Sequence, residues 1–163
     1  MLVPDILTPA WCGRLIRYWE SDAAKLTNHV ASEEAKSNVC DVAAKQRHDA
    51  PVNDPELARA LVQILDRRVM SELARYFGCV VREGETLRIG CYEAAEEGRF
   101  HMHRDTNMAV TMRRRFALSL NLNDDYEGGF LRFPEFPGLI YRPAAGSGVV
   151  FSCSPLHEAM PVT

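Results

Sequence analysis

Apolar residues follow two different rhythms along this chain. Behind Thr8 and Pro9, a capping residue and a proline suited to the first helical position, Trp11, Leu15, Ile16 and Trp19 recur at three- and four-residue intervals. That spacing predicts a first helix of about three turns. Leu57, Leu61, Leu65, Val69, Leu73 and Phe77 then repeat every four residues between Asp54-Pro55 and Gly78, predicting a longer amphipathic helix closed by glycine. Between the two, residues 27–54 carry Asn, Ser, Asp, His and Pro with little periodicity and read as an irregular arm.

From residue 86 the period shortens. The runs "TLRIGCY", "RFHMH", "RFALSLNLN", "GFLRF", "LIYR" and "GVVFS" are separated by Gly, Asn, Asp and Pro. Strands that follow helices, with no helical pattern between them, predict an α+β protein whose helices pack on an antiparallel barrel or jelly roll. In "FALSLNL", Phe116, Leu118, Leu120 and Leu122 share one face, expected under the helices. Ala117, Ser119 and Asn121 share the other, expected to line a cavity. Tyr92 sits with Arg88 and Gly90 on the more polar face of its strand. The paired glycines of "EGGFLRFPEF" suit a tight strand entry and Pro134 its end.

The length of 163 residues suits one domain, with residues 1–84 as a helical support region and 85–163 as the strand-rich core. A hydrophobic share of 47%, a charged share of 25% and a net charge of −3 give no general attraction to nucleic acid or anionic membrane. No run approaches the roughly 20 apolar residues of a membrane span. The start, "MLVPDILTPAW", has no basic leader. Five scattered cysteines without a CxxC pair argue against a disulfide framework and for reduced thiols, hence a cytoplasmic location.

The chemistry concentrates in "FHMHRD". His103 and Asp105 stand two apart, so on an extended segment they leave the same face, and His101 shares that parity. Two imidazoles and a carboxylate form a facial triad that holds Fe(II) with positions to spare, and His157 in "SPLHEAMPVT" is the natural third ligand. A bare H-x-D is common by chance, and His29 and His48 read as ordinary histidines. Cys153, four residues before His157, raises a Cys–His nucleophile, but Pro155 interrupts helical alignment and a small buried thiol is the commoner case.

The stretches "CYEAAEEGRFHMHRD", "RRFALSLNLNDDYEGGFLRFPEF" and "YRPAAGSGVVFSCSPLHEAMPVT", in this order, resemble the Fe(II)- and 2-oxoglutarate-dependent dioxygenases of the prolyl-4-hydroxylase-like branch. The resemblance covers roughly residues 85–163. It implies a double-stranded β-helix, the cupin-like jelly roll, with N-terminal helices packed on the sheet. It makes His103, Asp105 and His157 the iron ligands and catalytic centre, with His101 outside the triad. Tyr92 matches a tyrosine that bonds 2-oxoglutarate, Asn121 a side chain facing that cosubstrate, and Leu131 an apolar wall residue. It also implies a basic residue, usually arginine, one strand beyond His157, to clamp the far carboxylate of 2-oxoglutarate. The sequence reaches Thr163 before that position, so a last strand outside the given sequence is expected. Arg88 and Arg132 are weaker substitutes, and Arg113, Arg114 and Arg115 read as solvated.

The expected function is therefore hydroxylation of a C–H bond with release of succinate and carbon dioxide. The substrate would be a prolyl residue in a peptide or a small molecule, with no nucleic-acid or membrane partner and no readable oligomeric state. The rivals are a non-catalytic jelly-roll module binding a metal or ligand, and a zinc-dependent cupin-like enzyme using the same ligands.

Overall fold

The computed structural model describes residues 1–21, 45–106, 109 and 111–163. Helix α1 (Pro9–Glu20) starts where the sequence placed it: Thr8 is extended and its hydroxyl accepts from the Trp11 N–H at 3.4 Å, satisfying an N-terminal donor that the helix cannot. Asp54 caps α2 (Pro55–Leu65) with bonds from Glu56 and Leu57 at 2.9 and 3.0 Å. The helical path continues through a π turn (Asp66–Met70) into α3 (Ser71–Phe77), which Gly78 ends at φ 62°. The π turn has a cause in the sequence. A strict four-residue repeat drifts by about 40° per step on a helix of 3.6 residues per turn, and one widened turn takes up the drift. Leu57, Leu61, Val69 and Leu73 thus all reach the core, at 2%, 7%, 0% and 2% exposure.

The strands are β1 (Leu2–Val3), β2 (Lys45–Gln46), β3 (His48–Pro51), β4 (Arg88–Cys91), β5 (Arg99–His103), β6 (Phe116–Leu120), β7 (Leu131–Arg132), β8 (Ile140–Tyr141), β9 (Gly148–Ser152) and β10 (His157–Ala159). Among the described residues they form a sheet β1-β9-β6, a sheet β2-β5-β10-β7-β8 and a pair β3-β4, every pairing antiparallel. Phe116, Leu118, Leu120 and Leu122 pack with Val150 against Leu15, Leu57, Leu61, Val69 and Leu73. The leucine face of β6 therefore lies under the helices, as its alternation required. Ala117 and Ser119 pair with Phe151 and Val149 on the opposite, inner face.

The arm read as irregular is in part a strand region. β2 and β3 lie within residues 27–54, pairing Lys45 with Phe100 and His48–Pro51 with Arg88–Cys91. Nor is the stretch before residue 85 purely helical support, since β1 and β2 join the sheets of the strand-rich core. These strands are two to four residues long, too short to display a period, and Pro51 stops β3 because it has no N–H to donate. Residues 27–44, with His29 and Cys40, lie outside the described residues. Gly128 shows why the glycine pair is needed: at φ 68°, a β-carbon there would stand 2.3 Å from the Pro161 carbonyl oxygen. No helix of the described residues is long and apolar enough to cross a membrane.

Candidate metal centre

β5 and β10 run antiparallel with His103 directly opposite His157. Facing residues on neighbouring strands carry their side chains to the same side, so two imidazoles 54 residues apart in sequence meet with ring centroids 4.3 Å apart. Asp105, two residues beyond His103, completes the group; its N–H bonds the Cys153 carbonyl at 3.2 Å, which fixes the chain just past the strand. Ligand atoms of His103, Asp105 and His157 all lie within 4.8 Å of one another. The Asp105 oxygens stand 3.6 Å from His103 Nε2 and 3.7 Å from His157 Nε2.

His101 does not share this face. The register of β5 on β10 shifts between the His103–His157 and Phe100–Ala159 pairs, so three residues of β5 span two of β10. This bulge turns Phe100 and His103 inward together, the two rings stacked at 3.6 Å, and leaves His101 and Met102 exposed. His103 and Asp105 thus share a face, and the bulge breaks the alternation one step earlier, at His101.

Backbone partners orient both histidines so that each could ligate a metal. His103 Nδ1 lies 2.7 Å from the His101 carbonyl and His157 Nδ1 lies 3.1 Å from the Pro155 carbonyl. A carbonyl only accepts, so each Nδ1 carries the proton and each Nε2 keeps its lone pair toward Asp105. Burial lowers the His157 pKa, keeping its imidazole neutral. Burial alone would raise Asp105, but its contact with His103 and the neighbouring His157 outweigh this and hold it below the usual carboxylate range. Two imidazoles and one carboxylate fit a divalent cation.

The sequence profile of the 2OG-Fe(II) oxygenase superfamily matches residues 87–163, the stretch that holds all three side chains. Residues 87–163 are thus similar to that superfamily. Solved structures agree on the fold. A viral collagen prolyl hydroxylase from Paramecium Bursaria Chlorella virus-1, in its 2OG complex, superposes with a TM-score of 0.69 at 16% identity, over 100% of this chain and 88% of its own. A Pseudomonas putida prolyl-4-hydroxylase gives 0.63 at 17% identity, over 99% and 84%. A 2OG-Fe(II) oxygenase family protein from Burkholderia pseudomallei gives 0.56 at 20%, over 71% of this chain and 60% of its own. No curated protein matches the sequence.

Around the triad the wall is aromatic. Phe151 and Phe133 stand 4.8 and 6.1 Å from the His157 ring, and Leu131, paired with Ala159, lies on the same sheet face as His157. Phe100, Phe133 and Phe151 escaped the sequence reading; the shared parity of Leu131 and Phe133 in "FLRF" was the available signal. The loop before His157 is tied down by Arg104, whose guanidinium grips Glu135 at 2.6 and 3.0 Å and also bonds the Ser154 carbonyl. Glu135 in turn accepts the Leu156 N–H at 2.6 Å. The residue between His103 and Asp105 thereby orients the approach to His157.

Tyr92 and Asn121 have different surroundings. The Tyr92 hydroxyl accepts a bond from Arg47 Nη1 at 3.1 Å, and burial raises its pKa, keeping it a protonated donor. Asn121 uses both amide hydrogens at 2.9 Å to the Tyr126 hydroxyl and 2.7 Å to the Pro143 carbonyl, a tie that holds the following loop. Of the substitute anchors, Arg88 is exposed and Arg132 is paired with the buried Glu158. Arg114 grips Glu85 at 2.5 and 2.7 Å. Cys153 is buried, and burial together with nearby Asp105 pushes its thiol up to about 11, which leaves it unreactive rather than a nucleophile.

Proposed function

We propose that this protein is an Fe(II)- and 2-oxoglutarate-dependent oxygenase that hydroxylates a C–H bond of a small molecule or a peptide, with a prolyl residue as the favoured acceptor. One observation carries the reading: His103, Asp105 and His157 converge with both Nδ1 protons committed to backbone carbonyls, inside a stretch of this superfamily. His103, Asp105 and His157 would hold the iron. When bound, iron and 2-oxoglutarate supply oxidative decarboxylation to succinate and carbon dioxide, coupled to oxygen insertion into the substrate. The protein's part is positional. His103, Asp105 and His157 would fix the metal, Phe100, Phe133 and Phe151 would form the aromatic wall beside it, and the Tyr92 hydroxyl would donate a hydrogen bond to the cosubstrate. The prolyl preference draws on the two prolyl hydroxylases that share the fold. Free thiols at Cys12, Cys79, Cys91 and Cys153 favour a cytoplasmic location.

Anaerobic addition of Fe(II) and then 2-oxoglutarate should produce a visible charge-transfer band that His103→Ala abolishes, and admission of air should yield succinate. A metal-binding protein that gives neither band nor succinate would overturn the oxygenase in favour of a non-catalytic module.

A further inference from the structure

Behind the triad lies a cluster of charges that the metal site does not use. Arg47 follows β2 and its side chain runs over Gly90, where a β-carbon would stand 2.9 Å from Arg47 Cδ. Its guanidinium is gripped by Asp49, with Nε 2.7 Å from Oδ1 and Nη2 3.1 Å from Oδ2, and Lys45 bonds the same carboxylate. Two cations against one anion leave the cluster one positive charge in excess. Nη1 reaches the Tyr92 oxygen at 3.1 Å. The guanidinium carbon lies 5.6 Å from the Tyr92 and Phe100 ring centroids, and Phe100 is the ring stacked on His103. Arg47 thus touches both the predicted cosubstrate-bonding tyrosine and the aromatic ring that backs an iron ligand.

A tyrosine hydroxyl has one proton to give and an oxygen that accepts. A permanently charged guanidinium on that oxygen fixes the hydroxyl as donor and strengthens it, because bonds between charged and polarised partners are the strong ones. We propose that Arg47 is a positioning residue for a carboxylate of 2-oxoglutarate, acting through Tyr92: it turns the Tyr92 O–H toward that carboxylate and polarises it as a donor. The inference rests on the oxygenase reading above and extends it to a residue ahead of the superfamily stretch.

Calorimetric titration of 2-oxoglutarate into Mn(II)-loaded protein, without oxygen or substrate, tests it. Arg47→Met should weaken binding on the order of tenfold or more, the value of a hydrogen bond to a charged group, and Arg47→Lys should recover part of the loss. Tyr92→Phe should weaken binding comparably, and the double variant should bind no worse than Tyr92→Phe alone. Mn(II) affinity without 2-oxoglutarate should be unchanged in Arg47→Met. If the wild-type protein binds Mn(II) but not 2-oxoglutarate, the oxygenase reading itself fails. If the wild type binds and Arg47→Met binds equally well, only the present inference fails. Additive losses in the double variant, or lost Mn(II) affinity in Arg47→Met, would also overturn the role through Tyr92. Should Arg47→Met not fold, Arg47→Lys against Tyr92→Phe decides the same point.

Discussion

Removing the His157 imidazole separates a metal centre from a chance meeting of polar groups. A ligand that binds only the folded state stabilises it by RT ln(1 + [L]/Kd), so free Mn(II) at a hundred times its Kd adds about 2.7 kcal/mol. For a chain of this size, roughly 2–4 °C of Tm per kcal/mol makes that a rise of about 5–10 °C. In the proposed centre, His157→Ala deletes one of three protein ligands. If affinity falls about a hundredfold, the upper end of what even supporting partners contribute, the same metal concentration equals the new Kd and adds only about 0.4 kcal/mol. The shift then shrinks to about 1 °C. The variant also loses the packing of a 5%-exposed ring on Phe151 and Phe133, so its metal-free Tm falls independently. The informative quantity is therefore the metal-induced shift of each variant against its own metal-free melt, read by differential scanning fluorimetry. His101→Ala is the internal control: the same residue type, two positions from His103, but exposed, and its carbonyl still holds His103 Nδ1. It should keep the full shift. A His157→Ala protein that melts as much higher with Mn(II) as the wild type would refute the three-ligand centre, and loss of the shift in His101→Ala would refute the bulge.

Two further predictions concern the frame around the site. Gly128→Ala combines a φ of 68° with a 2.3 Å approach to Pro161, whereas Gly138→Ala at φ 90° meets no atom within 4 Å. The left-handed backbone alone costs about 1–2 kcal/mol, so urea denaturation should find Gly128→Ala the more destabilised of the two. Equal midpoints would mean that the close approach relaxes freely. Burial would raise the Asp49 carboxyl, but Arg47 and Lys45 outweigh it and hold its pKa below the ordinary value. A depressed folded pKa gives stability that is full above the unfolded value, near 3.9, and is lost as pH falls through the lower folded value. The wild type should accordingly lose more stability than Asp49→Asn on acidification from about pH 5 to pH 3. Parallel losses would mean that Asp49 gains nothing from its cationic partners.

Much of the frame was legible because local physics sets it. Thr8, Asp54 and Gly78 mark helix ends through bonds or dihedrals formed within a few residues. The four-residue leucine repeat even contained the reason for the π turn, since a period of four does not match a period of 3.6. In β6 the alternation told which face meets the helices. β2 and β3 were not legible. Strands of two and four residues exist only because β5 and β4 offer them partners, and nothing local to "KQRHDA" announces those partners.

At the site, the sequence by itself determined the residue types and the two-residue step from His103 to Asp105, because strand geometry alone puts such a pair on one face. Tertiary structure decided the rest. The register of β5 on β10 sets His157 opposite His103, a bulge expels His101 and admits Phe100, and the junction of β2 and β3 brings Arg47, with Asp49 of β3, to Tyr92. Each of these depends on which backbone hydrogen bonds form between segments far apart along the chain. A side chain's period fixes its direction relative to its own strand, and only pairing with another strand fixes what that direction meets.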